Sequence, residues 1–490
     1  MSTRAFAGAA ALLLTSAPLA WADLTADQLW ADWQATYGEF GIQISAGEES
    51  SGDTLTLNDL TVSMTNSGVS NEAVYGTIQL TNQADGTVRI DIPAEMNVSS
   101  VVEFEDERIE QSFVLTNEGL EMIAAQDGDI RSYVVAADSF GYRFDDVTSG
   151  ESPDPIPLIA VMNGLNTTYS VDRGGETLGL TQEFAADELI IDADGAATES
   201  PFTVRYLAQE LFGTGAGSFD GATMSALADG PGLADLGVDF EATFTHSGSD
   251  TTMTITTADG PVDLNSTSAG GEIFLELTPD GLTETFSSTD TNATVVVPQF
   301  PVPLTAAMDA FTAGFTVPVG VSEDPKSFAL DLVLENLAID DAIWSLFDPT
   351  GQLPRDPATV RLDLDGEALM TADIFGNPDA FASGPPGELQ SLTLGDLTLS
   401  LAGADLNASG DLDFPSPDIS RPVGTIQLAV DGAFMLIDRL VALGFLPPEQ
   451  AGFAKGMATV VAQQVGEDKL ESTIEFTETG GISANGLPLR

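Results

Sequence analysis

Leu55-Thr-Leu-Asn-Asp-Leu-Thr-Val-Ser-Met64 returns late in the chain as Leu392-Thr-Leu-Gly-Asp-Leu-Thr-Leu-Ser-Leu401, with seven of ten positions identical. In both copies apolar residues occupy every second position, slip by one at Asn58-Asp59 or Gly395-Asp396, and then resume. Period-two alternation marks a strand with one buried face. A bulge at the slip would keep both runs on the same side of the sheet. A second shared word follows each copy, Gly76-Thr-Ile-Gln-Leu80 and Gly424-Thr-Ile-Gln-Leu428. The repeated positions carry no nucleophile, base or ligand cluster, so the repetition specifies architecture and predicts two related halves.

The same alternation recurs along the chain, for example at Thr87 to Ile92, Leu178 to Phe184, Val238 to His246, Ile273 to Leu277, Phe328 to Leu334, Val360 to Leu364 and Thr425 to Val430. Ser247-Gly-Ser-Asp250, Ala258-Asp-Gly260, Ala269-Gly-Gly271 and Pro279-Asp-Gly281 read as hairpin connectors, because Gly supplies the positive φ of tight turns. From Val238 to Val297 they predict an antiparallel meander. Thr25-x-x-Gln28 is a capping box, and Leu29, Trp30, Trp33 and Tyr37 fall on one face of the helix it opens. Further helices are predicted over Val204 to Phe212, Ala222 to Ala228, Leu304 to Phe315, Asp340 to Phe347, Phe434 to Leu443 and Pro448 to Val465, the last with Pro448 in its first turn. The closing segments Leu470 to Thr477 and Ile482 to Leu489 read as a hairpin. The fold class is therefore mainly β: an elongated, curved, antiparallel sheet of repeated strands with a few flanking helices. Its halves are 23–231, with the initial helix, and 232–490, with a helix pair near 434–465; the Gly-rich stretch from Gly213 to Gly237 is the expected boundary.

Arg4, the apolar run Ala5 to Leu14, Pro18 and the triplet Ala20-Trp21-Ala22 form an export leader over 1–22, which implies a periplasmic location. No segment approaches the roughly 20 apolar residues of a membrane anchor. With no Cys there is neither a disulfide nor a lipid-accepting thiol. Acidic residues number 76 against 15 basic, a net charge of −61. Such a field disfavours nucleic acid and anionic membrane surfaces as partners. It also keeps an exported protein hydrated where salt screens the repulsion.

Tests for chemistry return little. His246, the single imidazole, falls in phase with Val238, Phe240, Ala242 and Phe244 at a strand end, and no Gly-x-Ser-x-Gly elbow accompanies it. Zinc lacks ligands without Cys. Asp192-Ala-Asp194-Gly195 and Asp363-Leu-Asp365-Gly366-Glu367 resemble the opening of a calcium loop but lack its twelfth-position Glu, and read as turns. No cofactor or metal is expected, and the chain reads as non-enzymatic; an acid-base hydrolase with paired carboxylates is the catalytic alternative.

The most distinctive segment runs from Asp340-Asp-Ala-Ile-Trp344-Ser-Leu-Phe-Asp348 through Pro-Thr-Gly-Gln-Leu-Pro354-Arg355-Asp356-Pro357 to Ala-Thr. It resembles the exported bacterial family known as domain of unknown function 2125, and the early Trp-rich helix and the closing Gly480-Gly-Ile-Ser-Ala-Asn-Gly-Leu-Pro-Leu489 fit the same resemblance. That family brings no catalytic residues. The Leu-x-Leu-x-Asp-Leu rhythm is more distantly similar to AsmA-like periplasmic β-repeat proteins, some implicated in lipid handling. Two functions follow as expectations. One is an envelope protein that takes a lipid or other hydrophobic ligand on an apolar sheet face. The other is a structural protein that docks an envelope partner through Trp344, Asp348, Arg355 and Asp356. In the sober physical account, Arg355 simply pairs with Asp348 or Asp356.

Overall fold

Every ladder in the molecule is antiparallel, and the pairings follow the chain, each pass lying against the one before it. The computed structural model describes residues 23–489 except 40, 67–68, 105–106, 150–156, 176, 196–200, 220–237, 301 and 374–384. The expected leader and the helix expected over Ala222 to Ala228 lie outside the described residues. Among the described residues, twenty-seven strands form one sheet. It opens with β1 (Ile42–Ser51) and β2 (Thr54–Asn66), followed by passes that are each split in two: β3 (Val69–Val74) with β4 (Ile78–Asn82), β5 (Val88–Asp91) with β6 (Glu95–Phe104), and β7 (Glu107–Glu118) with β8 (Glu121–Asp127). Long strands carry it onward as β9 (Ile130–Ser149), β10 (Leu158–Asp172), β11 (Leu178–Asp194) and β12 (Phe202–Phe219). Then come β13 (Asp239–His246) with β14 (Gly248–Thr257), β15 (Gly260–Ser268) with β16 (Gly270–Leu277), β17 (Gly281–Val296), β18 (Leu304–Pro318), β19 (Lys326–Ile339) and β20 (Ala358–Met370). The last are β21 (Gly387–Leu401), β22 (Ala404–Asp413), β23 (Val423–Asp431), β24 (Gln463–Gly466), β25 (Lys469–Phe476), β26 (Ile482–Ala484) and β27 (Leu487–Pro488). β12 pairs with β13 across the Gly-rich stretch.

The long strands share a crease. In β9 and β10 the regular pairs Asn163–Ser139 and Leu165–Ala137 flank one unpaired residue on each side, Gly164 and Asp138. The same gap lies at Asp187 opposite Glu210 in β11 and β12. It continues through Ser247 and Ala269, which join the halves of the β13/β14 and β15/β16 passes, then to Asp290, Asp309 and Asn336. Gly164, Glu210, Asp290 and Asn336 take positive φ there, 65°, 48°, 47° and 54°. Because both partners carry the extra residue, the ladder resumes in register. The side-chain parity inverts, however, and a one-residue slip would turn the apolar set to the wrong face. The sequence compensates with a step of three at the crease, as in Leu180, Gln182, Phe184, Ala186 and then Leu189, Ile191. The doubled phrase uses the same device: Asp59 takes φ 50°, and the register shifts at Gly395-Asp396 against both β20 and β22. In the first copy Ile78 and Leu80 pair directly with Leu57 and Leu55, whereas β22 stands between the two words in the second copy.

The crease explains four corrections. Val204 to Phe212 and Leu304 to Phe315 are strand, not helix. Two-steps interrupted by one three-step place apolar residues at 204, 208 and 211, and at 304, 308, 311 and 315, which imitates the period of 3.6. Ser247 to Asp250 and Ala269 to Gly271 are interruptions inside long passes and not hairpin turns. The turns of this region are at Ala258-Asp259 and Pro279-Asp280, where Thr257 pairs with Gly260 and Leu277 with Leu282.

Among the described residues, four helices flank the sheet. α1 (Ala26–Glu39) is capped as the sequence predicts, Thr25 N–H donating to Gln28 Oε1 at 2.9 Å and Gln28 N–H to Thr25 Oγ1 at 3.2 Å. Its Leu29 and Trp30 enter a core with Leu55, Leu57, Leu80 and Val88, all nearly inaccessible. Each such side chain contributes about 1.5–3 kcal/mol relative to exposure. α2 (Asp341–Phe347), α3 (Ala433–Ala442) and α4 (Pro448–Val461) lie toward the other end of the chain.

Positive φ costs an L-residue roughly 1–2 kcal/mol. Asp290→Gly is therefore expected to stabilise the protein by up to about 1 kcal/mol and Asp290→Val to destabilise it by about 1–2 kcal/mol, read from urea unfolding midpoints.

Candidate functional site

Directly paired residues share a face, so the ladders trace what lines the inner side of the sheet. Phe184 lies opposite Gly213, Gly213 opposite Phe244, Phe244 opposite Ile273, and Ile273 opposite Phe286. The row continues through Ala313, Leu332, Leu362 and Leu397. An apolar row thus crosses the sheet from β11 to β21, and it is not filled by its own side chains: Ile273 is 43% exposed, Phe286 44%, and Leu330, on the same face, 44%. Isolated exposed apolar residues are ordinary, but a contiguous apolar strip marks an interaction surface.

The row deepens into a cavity of about 380 Å³ between Phe184, Phe240, Ala242, Phe244 and Leu275. Its depth comes from β12, where Gly213, Gly215 and Gly217 occupy alternate positions and present no side chain to this face. The Phe184 ring lies over Gly213, where an added Cβ would stand 2.0 Å from it. At Gly215 an added Cβ would meet nothing nearer than the Glu241 carbonyl at 3.8 Å, so that position is open floor. Phe184 and Phe244 stack with centroids 5.9 Å apart, forming one wall.

A second cavity, about 350 Å³, adjoins the first and shares Tyr169 and Leu180 with it. α1 roofs it with Asp32, Trp33, Thr36 and Tyr37, and Arg131 and Arg173 rise from β9 and the end of β10. Trp33 Nε1 donates to the Tyr133 hydroxyl at 2.9 Å, and Tyr133 stacks on Tyr169 at 4.3 Å. Burial, together with the nearby Tyr133 and Tyr37, pushes the Tyr169 hydroxyl above its ordinary pKa. Arg131 pairs with Asp32 and donates to Gln126 Oε1 at 2.7 Å; Arg173 donates to Thr36 Oγ1.

The Trp344 segment is built differently from the exposed epitope that a docking role would require. Trp344 is buried with Leu353 and Ala402 and tilts against Phe347 at 4.9 Å. Asp348 is wholly buried and organises the loop, accepting from Leu353 N–H at 2.7 Å and Gln352 N–H at 3.0 Å. Burial pushes its pKa up, but those amides, the Thr350 hydroxyl and the Arg355 charge outweigh it and hold the carboxyl below its ordinary value. Arg355 pairs with Asp341, not with Asp348 or Asp356, and its guanidinium lies 6.0 Å from the Trp344 ring. Arg355 and Asp356 line a third cavity of about 360 Å³ with Leu401, Leu436 and Phe445. The structure thus gathers Trp344, Asp348 and Arg355 into one corner, with Asp356 joining Arg355 where that corner lines the cavity.

The remaining candidates are dispersed. His246 lies at the crease, its Nδ1 buried without a hydrogen-bond partner. Its Nε2 is 2.5 Å from where a Cβ on Gly271 would be, which explains the glycine there. Asp192 is held by Arg205 at 2.9 Å. Asp331 faces Asp363 across β19 and β20; burial, with Asp363 and Asp365 nearby, raises its pKa. Among the described residues no group of three or more His, Cys, Asp or Glu is placed to hold a metal, and no helix is long and apolar enough to cross a membrane.

Residues 204–489, more than half of the chain, match the model of a family described as uncharacterised protein conserved in bacteria, domain of unknown function 2125. The chain belongs to this family. No curated protein and no solved structure matches it. The part that aligns with domain of unknown function 2125 starts inside β12, so it includes the glycine floor and the Trp344 corner.

Sequence reasoning passed over the glycine floor, reading it as part of a boundary, and over Arg131 and Arg173. The first had a signal, glycines at alternate positions within a strand; the second depends on α1 folding back over strands a hundred residues later.

Trp344→Ala should cost about 3–5 kcal/mol of stability, as for other buried large aromatics, measured by urea unfolding. Asp348 has a folded pKa below its unfolded value of about 3.9, so its stabilisation is complete above that pH and is lost as pH falls through the folded value. Asp348→Asn should unfold at lower urea than wild type at pH 6, with the difference shrinking toward pH 3.

Proposed function

We propose that the chain is an exported, non-catalytic protein that holds a hydrophobic chain along its inner sheet face. One observation carries the reading: the apolar row from Phe184 to Leu397 lies partly exposed and is hollowed at Gly215 and Gly217. Burying an alkyl chain there is worth about 25 cal/mol per Å² of apolar surface removed from water, and the rigid strands need little reordering to receive it. The leader-like start of the sequence supports a role in the envelope.

Gly215→Leu fills the open floor, its Cβ coming no closer to the backbone than the ordinary contact of 3.8 Å with the Glu241 carbonyl. It should weaken binding of the fluorescent apolar probe N-phenyl-1-naphthylamine by about tenfold or more, equivalent to about 1.4 kcal/mol, while leaving the thermal midpoint within a few degrees. A wild-type protein that neither carries lipid in native mass spectrometry nor binds the probe would overturn the reading.

A further inference from the structure

Tyr169 and Leu180, which close one end of the apolar cavity, are also walls of the cavity beneath α1, so two chambers of different chemistry adjoin. Only 15 basic residues exist in the chain, and two of them, Arg131 and Arg173, meet in that second cavity. They are close enough for the Arg173 charge, after burial, to lower the Arg131 pKa.

Arg131 is engaged by Asp32 and Gln126, and its Nε, which has no hydrogen-bond partner, is buried, so Arg131 brings mainly its charge to the chamber. Arg173 is freer. Its Nη2 donates to Thr36, and its Nη1 is 3.9 Å from Glu39, beyond hydrogen-bond range, with the side chain 30% exposed. Guanidinium groups with unused donors are suited to a phosphate. The same chamber also holds carboxylates, Asp32 and Asp129 in its walls and Glu39 beside Arg173, together with the rings of Trp33, Tyr37, Tyr133 and Tyr169. Carboxylates and aromatic faces attract an ammonium. A purely anionic head would meet these carboxylates and the overall charge of −61 as repulsion.

We propose that the site under α1 takes the head group of a zwitterionic glycerophospholipid. Its phosphate lies at Arg173 and Arg131, its ammonium lies among Asp129 and the tyrosines, and its chains pass Tyr169 and Leu180 into the glycine-floored trench. The proposal rests on the trench reading above and gives it a direction, with the head at the N-terminal end of the sheet.

The test compares three short-chain lipids on delipidated protein by titration calorimetry: diheptanoylphosphatidylcholine, diheptanoylphosphatidylglycerol and diheptanoylglycerol, which has the same chains and no charged head. The choline lipid should bind at least about tenfold more tightly than either other lipid, a difference of about 1.4 kcal/mol. Arg173→Gln should remove its advantage over diheptanoylglycerol while leaving diheptanoylglycerol affinity and the thermal midpoint unchanged. Should Arg173→Gln lose structure through its contact with α1, Asp129→Asn serves instead, and it should shift preference from choline toward glycerol head. Equal binding of the choline lipid and diheptanoylglycerol would show that the arginines only clamp the helix, and preference for the glycerol head would show an anion site; either outcome overturns the proposal while the trench reading stands. Failure of all three lipids to bind would overturn both.

Discussion

Backbone hydrogen bonding between neighbouring passes is the constraint on which the rest of the structure depends. A strand bonded on both sides cannot absorb an extra residue alone, because every pairing beyond it would slip. In this sheet the extra residue is matched in the next strand, and in the next, from Asp138 and Gly164 to Asp309 and Asn336. The result is a line across the sheet instead of scattered defects. Positive φ at Gly164, Glu210, Asp290 and Asn336 is the local cost. What it preserves is a single inner face on which the apolar residues of both strand segments remain together.

Among the described residues, that face has no partner layer along most of its length. At the N-terminal end α1 covers it, and the completely buried residues concentrate there, Leu29, Leu57, Leu80 and Val88 among them. Within the strands from β13 to β19 none of the large apolar side chains is fully buried, and Ile273, Phe286 and Leu330 are more than two-fifths exposed. Local pairing between consecutive passes supplies order without a second layer, since each ladder satisfies its own backbone groups. The trench is therefore a consequence of a sheet stabilised along its hydrogen-bonding direction more than through its thickness.

Much of this was legible in residue spacing. The strands, the capping box at Thr25, α2, the C-terminal helix pair and the bulge inside the doubled phrase all follow from local patterns, because each is decided by residues within a few positions of one another. The crease was visible only as its imitation: Leu304, Met308, Phe311 and Phe315 have helical spacing, and the strand assignment needs the matching step in β17 and β19. Of the candidate site, the apolar face was expected but its hollow was not, since Gly215 gains meaning only when Gln182 and Ala242 are known to flank it. Arg131 and Arg173 were illegible for the same reason, their partners Asp32 and Thr36 lying in a helix remote in sequence. Trp344 drew notice as an anchor, and is one, for its own loop.

An uncovered apolar face invites a second copy of the chain to cover it, and the acidic excess opposes this. Alternation puts Asp331, Asp363 and Asp396 on the face opposite Leu332, Leu362 and Leu397, and the three acids lie directly opposite one another across β19, β20 and β21. Like charges facing each other across a ladder are unfavourable by a few tenths to about 1 kcal/mol each, so this arrangement lowers the stability of the monomer. Two chains meeting trench to trench would each bring a charge of −61 to within a molecular diameter, a repulsion that salt weakens but does not abolish at contact. A neutral or zwitterionic chain meets no such barrier. The same charge that makes the isolated sheet less stable thus works against two copies pairing through their apolar faces.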